Sequence, residues 1–403
     1  MLPRTFSLAL LFLAVPVFAA DPPEPKFRAV TIDDKIQIGY GLAVADVDGD
    51  GKPDVLLADK KQFVWYRNPT WEKFVLAENL TEKDHVCLAA QDLDGDGKCE
   101  IAVGAEWNPG DTEKSGAVFY LIAPADRTQR WEAVKFPSVE PTTHRMKWLK
   151  LDGEQWGLVV VPLHGRGNKN GEGAPVKVLC YVKPADPRAE WKAEVVDESM
   201  HMTHNFDRFS LPDSAGRDTL LIGGKEGVCL ASREDGQWKT RRTVQHAAYA
   251  PALPGVGEIR LGWSMQGGAP KPFGVAVEPM HGNTLAFYRQ DDATPDSQTP
   301  RRTVLDATLE DGHALACGDL LALGYDQVVV GWRAMQKKEA KVGIKLFVPD
   351  ASFGQWRQHL IDDNEMACED LVLADLNADG KLDIVASGRA TKNVKLYFNE
   401  TAR

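Results

Sequence analysis

Short apolar runs with a period of two, bounded by Gly, Asp and Pro, recur along the whole chain, and no stretch carries a helical apolar period of comparable length. This predicts an all-β protein. The clearest unit reads Gly41 to Asp46 as one strand, then an acidic loop, Asp54 to Ala58 as a second strand, Gln62 to Tyr66 as a third and Trp71 to Ala77 as a fourth. Four short strands in about 50 residues are the size of one propeller blade.

Aligning on the residue that opens the acidic loop gives seven anchors: Asp46, Asp92, Leu151, Leu211, Met265, Asp319 and Asp375. Third strands recur independently, as FVWY at 63–66, AVFY at 117–120, VLCY at 178–181, TLAFY at 284–288, IKLF at 344–347 and VKLY at 394–397. Fourth strands follow, commonly introduced by tryptophan, as at Trp71, Trp131, Trp191, Trp238 and Trp356. The last unit ends after its third strand, whereas an orphan fourth strand, FRAVTID at Phe27 to Asp33, precedes the first unit. The pattern therefore predicts a seven-bladed β-propeller of four-stranded antiparallel blades, closed by the N-terminal strand, spanning residues 21–403 as one domain.

Residues 1–20 place Arg4 before an apolar run from Phe6 to Val17 and end in small residues, which reads as a removable signal peptide. The run is shorter than the ~20 residues that span a bilayer. A secreted or periplasmic location without a membrane span is expected. The net charge of −11 disfavours nucleic acid or an anionic membrane as partner. Much of the acid sits in three loops and points to cations. Of the six cysteines, Cys87, Cys180, Cys229 and Cys317 fall inside apolar strands, which favours buried thiols over disulfides without settling a pairing.

In the first acidic loop Asp46, Asp48, Asp50 and Asp54 occupy positions 1, 3, 5 and 9, and the carbonyl of Lys52 is available at position 7. Six to eight oxygens around one point suit Ca²⁺, and glycine permits the tight turn. Asp92, Asp94, Asp96, Lys98 and Glu100 repeat the set, as do Asp375, Asn377, Asp379, Lys381 and Asp383. Acidic turns also form through backbone capping alone, but three copies in register favour structural Ca²⁺. Strands follow these loops, so they are not EF-hands. The strings DVDGDGKPDVLLAD, DLDGDGKCEIAVGA and DLNADGKLDIVASG resemble VCBS/FG-GAP repeats, the calcium-loop blades of integrin α-chain propellers and many exported bacterial proteins.

Counting back six or seven residues from each anchor finds Tyr40, His85, His144, His204, Glu258, His313 and Glu369, at the start of each innermost strand. The loops between second and third strands open on the same face and offer His164, Lys225, Glu226, His281, Arg333 and Arg389, with His201 nearby. His85, His144, His204, His281, His313, Glu369, Arg333 and Arg389 are thus candidates for one central site on the axis. Imidazoles bind Zn²⁺ or another transition metal and act as bases, and arginines stabilise enolate-like charge. Any single histidine could equally be a neutral hydrogen-bonding partner in a turn.

The strings HMTHNFD, EPMHGN, GHALACGD, GWR, MACEDL and GRATKNVKLY are similar to the propeller part of aldos-2-ulose dehydratase and its single-domain relatives. That resemblance implies a lyase or isomerase acting on a keto-sugar such as 1,5-anhydrofructose derivatives, although the chain ends after the propeller, without the cupin domains of the larger enzyme. The alternative is a non-catalytic propeller that binds carbohydrate, a cell-surface polysaccharide or a protein, as adhesion-type propellers do. Such platforms usually stack ligands on aromatics, and Trp107 and Trp332 are the obvious candidates here.

Overall fold

The computed structural model describes residues 21–210, 214, 216–245, 255–266, 269–290, 300–334 and 340–402, and every regular element among them is a β-strand. The signal-peptide segment, the anchor Leu211 and His246 lie outside the described residues. Strands are numbered β1 to β28 in chain order. They form seven four-stranded antiparallel sheets. In the first blade β2 (Gly41–Ala45), β3 (Asp54–Ala58), β4 (Gln62–Arg67) and β5 (Glu72–Glu78) match the expected unit within a residue at each end.

The innermost strands of the seven blades are β2, β6 (Cys87–Gln91), β10 (Thr143–Lys150), β14 (Thr203–Ser210), β18 (Glu258–Gln266), β22 (Gly312–Gly318) and β26 (Cys368–Ala374). Each lies beside the next, and β26 returns to β2. The last blade has the order β1-β28-β27-β26, in which β1 (Phe27–Asp33) pairs antiparallel with β28 (Asn393–Asn399), Phe27 opposite Asn399 and Val30 opposite Leu396. The ring is closed by main-chain pairing of its two ends, which removes the open sheet edge each would otherwise present.

The period-two alternation explains how blades adhere. Successive side chains of a strand point to opposite faces of its sheet. Val55 and Leu57 of β3 therefore pack with Val385, Val394 and Leu396 of the last blade, whereas Leu56 packs with Leu88, Ile101 and Val103 of the second. Seven apolar clusters result, one per junction between neighbouring blades. Fully burying one side chain of this size contributes about 1.5–3 kcal/mol. A one-residue slip would exchange the two faces and lose both junctions.

The six cysteines are free thiols; five are buried and Cys317 is half-buried. Among the described residues, no helix is long and apolar enough to cross a membrane.

Candidate functional site

Four inner strands start irregularly, and their irregular residues are the candidate residues. In β10 the pairs Thr143–Pro162 and Arg145–Val161 leave His144 as an extra residue. His313 is likewise extra in β22, and Glu369 in β26. In β14 His204 and Asn205 share the gap between Thr203–Gly224 and Phe206–Ile222. A bulge breaks the alternation locally and re-aims one side chain. Here four blades each turn a side chain inward that a regular strand would pack sideways.

The loop after β19 (Ala269–Glu278) supplies His281, whose φ of +52° is a left-handed backbone conformation that non-glycine residues rarely adopt. Its ring centroid stands 4.6 Å from that of His204 and 4.9 Å from that of His313, and His204 and His313 are 5.1 Å apart. The ligand atoms of these three histidines lie within 4.8 Å of one another. His144 is next in line, its ring 4.7 Å from His204.

Hydrogen bonding fixes how these rings are protonated. The Nδ1–H of His144 donates to the carbonyl of His204 (2.8 Å), that of His204 to the carbonyl of Gly257 (3.0 Å) and that of His313 to the carbonyl of Glu369 (2.6 Å). Each accepting carbonyl belongs to the next blade. Since a carbonyl can only accept, Nδ1 carries the proton and Nε2 faces the axis as a lone pair. Glu258 Oε1 lies 3.2 Å from His204 Nδ1 but forms no hydrogen bond with it. Burial, aided by the positive charges of Arg145 and Arg333, holds the imidazole of His204 down to about 3, and those of His281 and His313 far below the usual range. Burial does the same to His144, with Arg145 adding to it. All four are neutral donors of electron pairs near pH 7.

Beside them runs an ion-pair chain. Asp311 holds Arg333 through Nε (3.1 Å), Arg333 Nη1 reaches Glu369 Oε2 (2.6 Å), and Arg389 Nη1 reaches Glu369 Oε1 (2.9 Å). Both oxygens of Glu369 are thus engaged, and it orients two arginines instead of standing free as a base. The guanidinium of Arg389 lies 5.1 Å from the ring of Tyr40, whose hydroxyl donates to Asp84.

These groups open into one cavity of about 890 Å³, lined by His144, His204, His281, His313, Arg333, Glu369 and Arg389 together with Tyr40 and Trp107. Trp107 stacks on His144 at 4.8 Å. His85 is the exception among the expected residues. It is buried against Phe63, stacked at 4.3 Å, and its Nε2 accepts the Leu80 amide. Its strand, β6, starts without a bulge, so the second blade presents Trp107 instead. His164 is buried outside the cavity lining, and His201 pairs with Glu226 at 2.8 Å away from it. Trp332 packs in the core. The positioning role of Asp311 was not legible, because it acts through Arg333, a partner distant in sequence.

At the opposite end of the inner strands stand the acidic loops. In the first, Asp46 accepts the amides of Gly49 (2.7 Å) and Gly51 (2.8 Å), while Asp48 and Asp50 cap the next turns. Both glycines have φ near +80°, which suits a residue lacking Cβ. Asp46, Asp48 and Asp50 form one acidic cluster, and Asp92, Asp94 and Asp96 another. Asp54 also braces the loop: its oxygens accept Val47 N and Asn68 N. Asp375, Asn377 and Asp379 repeat the arrangement, except that Ala378 takes a φ of +57° where the other loops carry glycine.

Residues 115–291 match the family described as aldos-2-ulose dehydratase, β-propeller domain, and residues 40–103 match the FG-GAP-like repeat. The protein is thus a β-propeller resembling the propeller part of aldos-2-ulose dehydratase. The larger match includes His144, His204 and His281 and stops before His313, Arg333, Glu369 and Arg389. None of the curated proteins matches the chain. Among solved structures, the Mitotic Checkpoint Complex contains a chain with a TM-score of 0.54 at 12% identity, covering 98% of both chains. BBS1N in complex with ARL6DN gives 0.53 at 12% identity, covering 95% of this chain and 98% of that one. The extracellular domain of the putative hybrid two component system BT4673 from B. thetaiotaomicron gives 0.52 at 10% identity, covering 93% of this chain and 40% of that chain. At such identities the likeness is one of fold.

Proposed function

We propose that the protein is an exported propeller, stabilised by Ca²⁺ in its three acidic loops, whose histidine-lined funnel is the active site of a metal-assisted lyase acting on a keto-sugar. The observation that carries this reading is the set of Nε2 lone pairs on one axis, beside two arginines shared by one glutamate. His204, His281 and His313 fit Zn²⁺ or a similar divalent ion, since neutral imidazoles, two of them backed by carbonyls, make a typical nitrogen donor set. When bound, such an ion supplies Lewis-acid polarisation of the substrate carbonyl.

The chain's own groups divide the remaining work. His144, outside the metal triad but with a free Nε2, takes the proton next to the ketone. Arg333 and Arg389, aimed by Asp311 and Glu369, stabilise the oxyanion that forms as the proton leaves. Expulsion of the β-hydroxyl as water, with that proton, then leaves an enone. The ring of Trp107, already stacked on His144, offers an apolar face to a pyranose.

Turnover of 1,5-anhydrofructose, followed by ultraviolet absorbance of the enone, together with elemental analysis, tests this. His144→Ala should keep the transition metal and lose about 10²–10⁴-fold in rate, whereas His313→Ala should lose both metal and turnover. Metal-loaded wild type that binds keto-sugars without converting any of them would make the funnel a binding site only.

A further inference from the structure

Beneath the histidines a second cavity of about 330 Å³ occupies the propeller axis, lined from all seven inner strands. Its border carries three cationic side chains, Arg145, Lys147 and Arg260, against two carboxylates, Asp207 and Asp370, and the buried Glu258 beside Arg260 brings the formal charges level. Each carboxylate already accepts two backbone amides. Asp207 takes those of Arg208 and Leu261, and Asp370 those of Leu42 and Leu371.

The three cations are not equally matched. Arg260 lies 3.2 Å from Glu258, and Lys147 lies 3.7 Å from Asp207. Arg145 has no such partner: no carboxylate among the described residues stands within 4.0 Å of it. The residue is only 7% exposed, its Nη1 donates to the carbonyl of His144, and its buried Nε has no hydrogen-bond partner. Burial also lowers the pKa of the Lys147 ammonium, Asp207 opposing this and Arg260 and Arg208 adding to it. A buried guanidinium N–H without a hydrogen-bond acceptor is unfavourable, and proteins relieve it with a partner.

We propose that this chamber is a binding site for a small inorganic anion, a halide or a compact oxyanion, held by Arg145 and flanked by Lys147 and Arg260. The anion supplies the acceptor that the buried Nε of Arg145 lacks.

Crystals of the full chain soaked in bromide, with sulfate in a parallel arm, test the site directly. The expected result is an anomalous peak in hydrogen-bonding contact with the Arg145 guanidinium, with the two arms separating halide from oxyanion. In solution, exchanging a bulky organic sulfonate for chloride at constant ionic strength should raise the melting temperature and then saturate. Arg145→Met should abolish both effects, and the wild-type measurements stand alone if that variant does not fold. Water alone in the chamber, or a peak seen only at molar bromide with no saturable shift in solution and therefore an adventitious ion only, overturns the proposal.

Discussion

The Nε2 atoms of His204 and His281 face each other at 2.7 Å. Because His204 spends its Nδ1 proton on the carbonyl of Gly257, its Nε2 can only accept, and His281 must be the donor. For His204 and His281 both to hold a metal ion through Nε2, His281 would have to carry its proton on Nδ1.

This arrangement sets a proton count for metal uptake. Three ordinary imidazoles would together release roughly three protons on binding zinc at pH 5.5, because each is mostly protonated there. The imidazoles of this site are already neutral at that pH. Calorimetry in two buffers of different ionisation enthalpy should therefore find far fewer than three protons released. Release of about three would show that the rings titrate normally and that the hydrogen-bonded tautomers are not held.

Arg333 touches two carboxylates with different parts of its fork. A lysine keeps the charge but cannot hold both. Arg333→Lys should leave calcium and transition-metal content unchanged while lowering turnover by about 10²–10³-fold, the range seen when one oxyanion-stabilising donor is removed. Full activity in this variant would remove the arginine from the chemistry.

His85 contributes to pH dependence without contributing to the funnel. Burial, helped by Lys61, lowers its pKa to about 4, so the unfolded chain binds this proton more readily than the folded one. Stability then rises with pH: the contribution is fully present above about 6.5 and is lost as pH falls toward 4, at most about 3 kcal/mol. His85→Gln should flatten the melting-temperature profile between pH 6.5 and 4. An unchanged slope would mean that His85 is protonated in the fold.

Calcium should support the ring and not the chemistry, since the acidic loops and the funnel lie at opposite ends of the inner strands. Chelation should lower the melting temperature, and Asp48→Ala should do so in part, while ligand retention by the native fraction persists. Ala378→Gly should stabilise the third loop by about 0.5–1 kcal/mol by removing a positive-φ strain. Chelation that left the melting temperature unchanged but abolished ligand binding would place the ions in the funnel.

Deleting residues 27–33 should expose β28 as a free edge and cause aggregation or a large loss of stability. Trimming residues 21–25 should do far less, although Glu24 lies 3.1 Å from His359 at the surface. Superimposable melting curves for the two truncations would show that the pairing of β1 with β28 is dispensable.

What the sequence disclosed was whatever follows from periodicity. The alternation of Val55, Leu56 and Leu57 specifies a strand buried on both faces, and the surplus strand at Phe27 with the missing one after Val394 specifies the closure. His144, His204 and His313 were legible because they stand six or seven residues before the blade anchors. His85 stands at the same offset, yet points elsewhere, because aim depends on a bulge that β6 lacks, and bulges leave no spacing signature. Arg145 was missed for a related reason. It follows His144 directly, and only the ring of seven strands places it on the axis with no carboxylate among the described residues in ion-pair contact.

The pairing of β1 with β28 also constrains when the molecule can exist. Lys26 N bonds Thr401 Oγ1 across 375 positions of sequence, and the neighbouring Arg28 side chain bonds Glu400. A nascent chain can assemble its middle blades one after another, but its first strand must wait, unpaired, until the final one is made. Contacts so distant in sequence form late and slowly. The ring therefore locks only on completion, so a chain stalled short of residue 393 would keep an unpaired strand at one end and an open blade at the other, the kind of surface by which quality-control factors recognise an unfinished product.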